Sequence, residues 1–160
     1  MIAAAFVSLC TMPALGQSTW TGNTNEFWGV GSNWNPAGVP AATADLTFDG
    51  TATLFLVDLG AADRMANTIT INSATSYLFE DNNPGQTLTP GDVSVFSGTG
   101  HQFDLPIALG TGATYSIFSG SDLSISGIVS GTGALTKMSP VPSLSPASTH
   151  TAAVRCSTTA

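Results

Sequence analysis

The sequence predicts an all-β protein organised as a parallel β-helix, a solenoid of stacked coils; a β-sandwich is the alternative architecture. Three observations support this prediction: a composition poor in helix-stabilising residues, short apolar runs of period two, and the recurrence of those runs at a coil-like interval. The first observation favours strands and turns over helices, the second indicates strands, and the third favours the solenoid over the sandwich.

The composition is nearly free of charge pairs. Charged residues make up 8% of the 160 positions, against about 25% in an average domain. Few helix-stabilising pairs can therefore form, and the abundant Gly, Thr and Ser are indifferent or poor helix formers. The net charge of -7 comes with only three Lys and Arg residues. Binding to nucleic acid or to an anionic membrane surface needs basic clusters, so both are excluded as expected partners.

Short alternating segments recur along the chain between residues 46 and 136. In each segment apolar side chains alternate with Thr, Ser or another polar residue, and Gly, Asn, Asp, Pro or Ser supplies the turn that follows. We predict strands at 46–48, 54–57, 68–71, 93–96, 103–109, 114–118, 123–125 and 134–136.

The spacing of these segments predicts the coil. If Leu46, Ile69, Val93, Tyr115 and Leu135 are equivalent positions, the steps between them are 23, 24, 22 and 20 residues. An interval of roughly 20 to 25 residues is the length of one turn of a parallel β-helix. A sandwich with hairpins every 8–12 residues would also space its strands evenly, so it remains the alternative.

Residues 1–16 have the pattern of a signal peptide. The segment is apolar, too short to span a bilayer, and carries small residues before a cleavage point between Gly16 and Gln17. A buried N-terminal strand or helix is the other interpretation. Cleavage would leave Cys156 as the only cysteine, and a disulfide framework would need an even set. We therefore expect export through the secretion machinery without disulfide support.

Two segments carry a family resemblance. The first is Trp20-Thr21-Gly22, followed by Phe27-Trp28 and Ser32-Asn33-Trp34; the second is the Gly-rich stretch 125–137, ISGIVSGTGALTK. Together they resemble the start of bacterial proteins with autotransporter-associated β-strand repeats. The resemblance implies a right-handed parallel β-helix, a surface passenger with many repeats, and a translocator or anchor in the outer membrane that lies outside this chain.

The predicted organisation has four parts. Residues 1–16 form the signal peptide, 17–44 a Trp-rich N-terminal cap, 45–137 the coils, and 138–160 a Pro-, Ser- and Thr-rich tail without Gly or acidic residues. We expect this tail to be disordered. A sharper hypothesis is a one-base frameshift near Lys137, because one allowed shifted reading, NESGTLSLSGVNTYSGGTVLNDG, continues the repeat of the resembled family. The nucleotide sequence tests this hypothesis directly.

Three tryptophans are the candidate ligand residues. Trp20, Trp28 and Trp34 could form an aromatic platform for sugars, or they could cap the open end of the solenoid. An uncapped end exposes apolar surface and unpaired strand groups, so the capping role is favoured.

The polar residues suggest no catalytic or metal site. The acids are scattered singly along turns, and Glu80-Asp81 falls in the turn with Asn82-Asn83-Pro84-Gly85. Paired carboxylates can hydrolyse glycosides or hold calcium, but Asx-rich turns explain the same residues. His101 stands alone before the tail, so no catalytic triad or metal cluster can be assembled around it. We predict no catalytic residue, metal or cofactor.

The function expected from the sequence is that of a non-enzymatic, exported surface protein with a structural or adhesive role, truncated relative to its family. Its partners would be glycans or proteins on cell surfaces or outside the cell. The alternatives are an exported polysaccharide-binding or polysaccharide-active β-helix protein, and a fragment without function. Clustered carboxylates together with Arg or Lys in one groove would favour the polysaccharide-active alternative.

Overall fold

The chain folds into stacked coils of short β-strands. The computed structural model describes residues 16–133 and, as backbone strands, 136–138 and 154–156. The predicted signal peptide up to residue 15 and most of the predicted tail therefore lie outside the described residues. No helix among the described residues is long and apolar enough to cross a membrane.

The described part contains strands, turns and one short 3-10 helix at Gly31–Asn33. The strands are β1 (Gln17–Trp20), β2 (Trp34–Asn35), β3 (Asp45–Asp49), β4 (Leu56–Asp58), β5 (Arg64–Asn72), β6 (Leu78–Glu80), β7 (Leu88–Ser97), β8 (His101–Asp104), β9 (Ile107–Leu109), β10 (Thr114–Ile117), β11 (Leu123–Ile125), β12 (Val129–Gly131), β13 (Thr136–Met138) and β14 (Val154–Cys156).

The strands form two parallel sheets, which wind into a β-solenoid of about four turns. One sheet has the order β12-β9-β7-β5-β3-β1-β2, with β10 and β13 also attached, and the other has the order β14-β11-β8-β6-β4. Every pairing is parallel except that of β1 with β2. The prediction of a parallel β-solenoid is confirmed, and the β-sandwich alternative is wrong because hairpin connections would have made the sheets antiparallel.

The strand register confirms most of the predicted coil. Leu46 pairs with Ile69, Ile69 with Val93, and Val93 with Tyr115. The last step is wrong by two residues, because Tyr115 pairs with Lys137 and not with Leu135. The step is therefore 22 residues, like the one before it.

Inward side chains build a continuous core between the sheets. Each strand points alternate residues inward, and parallel pairing in register places equivalent residues above one another in columns. All of these core positions are buried. The columns are Leu46, Ile69, Val93, Tyr115; then Phe48, Ile71, Val95, Ile117; and, in the second sheet, Val57, Phe79, Phe103, Ile125.

Single acidic side chains join neighbouring coils. Asp63 accepts a hydrogen bond from the backbone N–H of Thr87 at 2.8 Å, and Asp92 accepts one from the N–H of Thr114 at 2.9 Å. Asp104 accepts from the hydroxyl of Ser126 at 2.8 Å. The partners lie 22 to 24 residues apart, which is one coil. These three acids thus satisfy donors of the adjacent coil.

Candidate functional site

The tryptophans of the N-terminal segment close one end of the solenoid. Trp20, Trp28 and Trp34 are 0%, 1% and 2% exposed, and their rings contact one another with centroids 5.1 Å apart for Trp20–Trp34 and for Trp28–Trp34. All three also lie within 6.3 Å of the Phe48 ring of the first full coil. A ring that stacks on a sugar must present a face to solvent, and these three indoles do not.

The polar atoms of two indoles are also satisfied inside the protein. Trp20 Nε1 donates to the carbonyl of Leu54, and Trp34 Nε1 donates to the carbonyl of Trp28, both at 2.8 Å. The rings therefore contribute both apolar burial and hydrogen bonds to the end of the stack. The geometry is that of a cap, which corrects the sugar-platform interpretation of these residues.

Asn33 holds the loop between β1 and β2 in place. Its side chain is fully buried; Oδ1 accepts from the backbone N–H of Thr24 and of Asn25, at 2.9 and 3.2 Å. Its Nδ2 donates to Asn25 Oδ1 at 2.8 Å and to the carbonyl of Phe27 at 2.9 Å. The middle residue of the Ser32-Asn33-Trp34 motif is thus a hub that fixes Phe27.

Beside the cap lies an open cleft of about 370 Å³. Three consecutive rungs of the second sheet contribute to it: the segment before the 3-10 helix, the end of β4, and the turn after β6. Backbone bonds connect the first two, because Asp58 N–H donates to the carbonyl of Glu26 and Trp28 N–H donates to the carbonyl of Asp58, both at 2.8 Å. The lining residues are Glu26, Phe27, Asp58, Gly60, Ala61, Asn82 and Asn83.

Asp58 is the buried polar group of this cleft, at 2% exposure. Its Oδ1 accepts from the N–H of Gly60 at 2.7 Å, and its Oδ2 accepts from Asn82 Nδ2 at 3.2 Å. The Asn82 amide also contacts Glu80 Oε1. Both oxygens of the buried Asp58 carboxylate are thus engaged inside the protein, where they fix the Gly60 backbone and the Asn82 side chain.

The Glu80-Asp81 pair that the sequence suggested is divided between two roles. Asp81 turns back onto its own loop and accepts from the N–H groups of Gly85 and Gln86, each at 3.0 Å. This is the structural role expected of an Asx-rich turn. Glu80 instead faces Asn82 at the rim of the cleft. Among residues 16–133, no group of three His, Cys, Asp or Glu side chains has the arrangement of a metal site.

Arg64 lies at the edge of the cleft, although it is not one of the lining residues: a Cβ placed on the lining residue Gly60 would be 3.9 Å from its Nη2. Its Nε donates to the carbonyl of Leu59 at 3.0 Å, and a Cβ placed on Gly29 would be 2.7 Å from its Nη2. Burial lowers the pKa of its guanidinium below the usual range. The cation is thus bound to the backbone next to the cleft, near the lining residue Gly60.

His101 has a structural position in the core. It is fully buried, its Nδ1 accepts from the N–H of Tyr77 at 3.0 Å, and its Nε2 lies 2.9 Å from the carbonyl of Ser97. Since Nδ1 accepts, Nε2 carries the proton and donates. Both ring nitrogens are therefore engaged: Nδ1 links His101 to the preceding coil, and Nε2 binds the end of β7 in its own coil.

The outward face of the large sheet is a regular grid of small polar side chains. Its central column contains the hydroxyls of five strands in register, about 4.8 Å apart from strand to strand: Thr19, Thr47, Thr70, Ser94 and Ser116. Next to the grid, Phe96 is 46% exposed and its ring stacks on Phe118 with centroids 4.4 Å apart.

Sequence reasoning singled out the tryptophans as ligand candidates, assigned Asn82 and Asn83 to a turn, and did not predict that Phe27 and this turn line one cleft. Phe27 stands in the same Trp-rich motif, but only its neighbour Trp28 points inward. Comparisons with protein-family models, with curated proteins and with solved structures found no match.

Proposed function

We propose that this protein is a non-enzymatic, exported surface module with a structural or adhesive role. The observation that carries the proposal is the in-register stack, which presents the hydroxyl grid on one face and closes its first coil with the tryptophan cap. A stack of this kind places side chains at fixed intervals along an extended surface, which suits display and multiple weak contacts.

The support for export is the predicted signal peptide in the sequence. The predicted signal peptide 1–16 would direct the chain out of the cytoplasm, with cleavage between Gly16 and Gln17. Gln17 is also the first residue of β1, so cleavage there would leave the first strand of the solenoid complete. Anchoring in the outer membrane would come from a translocator, as the family resemblance implies.

Exposure to external protease tests the location. The natural gene, with an epitope tag inserted at the exposed Gly85 turn, is expressed in its own host, and intact cells are treated with protease. We expect the tagged protein to disappear while a periplasmic marker survives. Protection of the tag until the cells are lysed would overturn the proposed surface location.

A hydrolysis screen tests the non-enzymatic part. The purified full chain is incubated with neutral and acidic polysaccharides, and reducing ends and unsaturated products are measured. We expect no release above a heat-inactivated sample. Release that is lost in Asp58→Asn would instead assign the protein to the polysaccharide-active class.

A further inference from the structure

We propose that the cleft beside the cap binds a neutral saccharide unit of a glycan chain. The inference rests on the adhesive role proposed above, for which it supplies the ligand class. It is carried by four features of the cleft: an exposed aromatic ring, fixed hydrogen-bonding groups, an acidic rim and a suitable size.

The aromatic ring is that of Phe27, which is 39% exposed while the neighbouring Trp28 is buried. Its backbone is fixed on both sides, because its N–H donates to Asn25 Oδ1 at 3.2 Å and its carbonyl accepts from Asn33 Nδ2. Gly60 leaves the ring edge open: a Cβ at that position would lie 3.9 Å from Phe27 Cδ1. The ring is thus accessible and pre-positioned to pack against the C–H face of a pyranose.

The hydrogen-bonding groups suit hydroxyls. The exposed amides of Asn82 and Asn83 both donate and accept. The buried carboxylate of Asp58 accepts from Asn82 Nδ2 at 3.2 Å, so the Asn82 side chain need not be ordered when a ligand arrives. An apolar ring face next to convergent acceptor and amide groups is the combination that recognises a sugar, whose hydroxyls lie around its edge and whose C–H groups cover its face.

The charge of the cleft selects against acidic sugars. Glu26 and Asp58 line it, and Glu80 lies at its rim beside Asn82. Arg64 is the only Lys or Arg whose side chain the structure describes, and its Nη2 lies at the edge of the cleft, 3.9 Å from the place of a Cβ on Gly60. Its one positive charge is outnumbered by these three carboxylates. Uronates and sulfated sugars would therefore meet like charge, whereas uncharged hexoses would not.

The size and openness fit an internal unit of a chain. A volume of about 370 Å³ is near the lower end for small-molecule sites, which run from about 300 to 1,000 Å³. Because the cleft is open to solvent, a polysaccharide could cross it and leave the neighbouring sugar units outside. Binding of one site would be weak, and adhesion would arise from many copies on one surface.

Titration of the full-length chain with oligosaccharides tests the inference. The probes are cellohexaose, mannohexaose and laminarihexaose as neutral chains and hexagalacturonate as the acidic chain, with binding followed by calorimetry and by NMR shifts of the probe. We expect at least one neutral probe to bind and hexagalacturonate to bind at least about tenfold more weakly. Failure of all three neutral probes, or equal binding of hexagalacturonate, overturns the inference.

Matched variants locate the site. Phe27→Ala should raise the Kd of the neutral probe by about tenfold or more, and Asn83→Ala by about threefold. Phe96→Ala is the control, because Phe96 is exposed to a similar degree on a different face. Circular dichroism and thermal unfolding establish that each variant is folded. Unchanged binding in folded Phe27→Ala, or equal losses in Phe27→Ala and Phe96→Ala, would place the sugar elsewhere and overturn the assignment.

The two proposals fail in different ways. If protease removes the protein from intact cells but no neutral probe binds, the proposed surface location stands and the proposed saccharide site is wrong. If the neutral probe binds through Phe27 but the protein is protected from external protease, the proposed saccharide site stands and the proposed surface role is wrong.

Discussion

Replacing each of the two tyrosines of the chain by phenylalanine should change the free energy of unfolding in opposite directions. Both are core residues, at 0% exposure for Tyr77 and 1% for Tyr115. Tyr77 Oη donates to the carbonyl of Asp49 at 2.7 Å. The Tyr115 hydroxyl is buried and has no hydrogen-bond partner among the described residues. Removing the hydroxyl of Tyr77 should therefore destabilise the protein, and removing that of Tyr115 should stabilise it.

The magnitudes follow from the cost of buried polar groups. A buried hydroxyl without a partner costs about 1–3 kcal/mol of desolvation, whereas a satisfied one contributes about 1 kcal/mol net. We expect Tyr115→Phe to raise the free energy of unfolding by about 1 kcal/mol or more. Tyr77→Phe should lower it by about 1–2 kcal/mol, because it also leaves the Asp49 carbonyl without that donor. The ring and its packing are retained in both variants.

Urea unfolding of the wild type and the two variants, followed by tryptophan fluorescence and by circular dichroism, measures these differences. The tryptophans of the cap report on the first coils, and circular dichroism reports on all strands. Coincident transitions are needed before a single free energy is assigned. A loss of stability in Tyr115→Phe as large as that in Tyr77→Phe would refute the reasoning, since it would mean that the Tyr115 hydroxyl is satisfied.

Three further predictions concern other buried polar groups. His101→Leu should lower the free energy of unfolding by about 3 kcal/mol in urea titrations, because it orphans the N–H of Tyr77 and the carbonyl of Ser97; an effect below about 1 kcal/mol would contradict the proposed links. Asn33→Asp should cost more than about 3 kcal/mol by the same measurement and weaken any binding that depends on Phe27, because a carboxylate oxygen would then face acceptors; wild-type stability would refute the hub. Burial raises the pKa of both tyrosine hydroxyls above 10.0, and the Asp49 charge adds to the effect at Tyr77. The unfolded chain therefore loses these protons at a lower pH than the folded protein does. The free energy of unfolding is unaffected by this ionisation below pH about 10 and falls as the pH rises further. Stability should then fall by up to about 1.4 kcal/mol per pH unit for each tyrosine, measured by urea unfolding at rising pH, and a flat profile would contradict their burial.

The coil was predictable from sequence because it is a local property repeated along the chain. Alternation fixes which side chains point inward, and a constant step places Leu46, Ile69 and Val93 above one another. The last step was misjudged because Leu135 and Lys137 both stand at alternating positions of the same segment, so alternation could not choose between them.

The cleft was not predictable from sequence, because its residues come from three separate coils of the solenoid. Phe27, Asp58 and Asn82 are 31 and 24 positions apart in sequence, and none of them belongs to a recognisable motif with the others. Alternation indicates that either Phe27 or Trp28 points inward, but not which. The hub role of Asn33 was also hidden, since an Asn in a loop usually signals only a turn.

The end of the large sheet beyond β1 has a consequence for self-association. An exposed strand edge can recruit a strand from a second molecule and start a fibre. Here the outermost strand, β2, has only two residues, runs antiparallel to β1, and is followed by Pro36, which has no N–H to donate. An incoming parallel strand would find almost no ladder to extend. At this end the molecule therefore resists head-to-tail polymerisation, so that coils held at high density could lie side by side without fusing into amyloid.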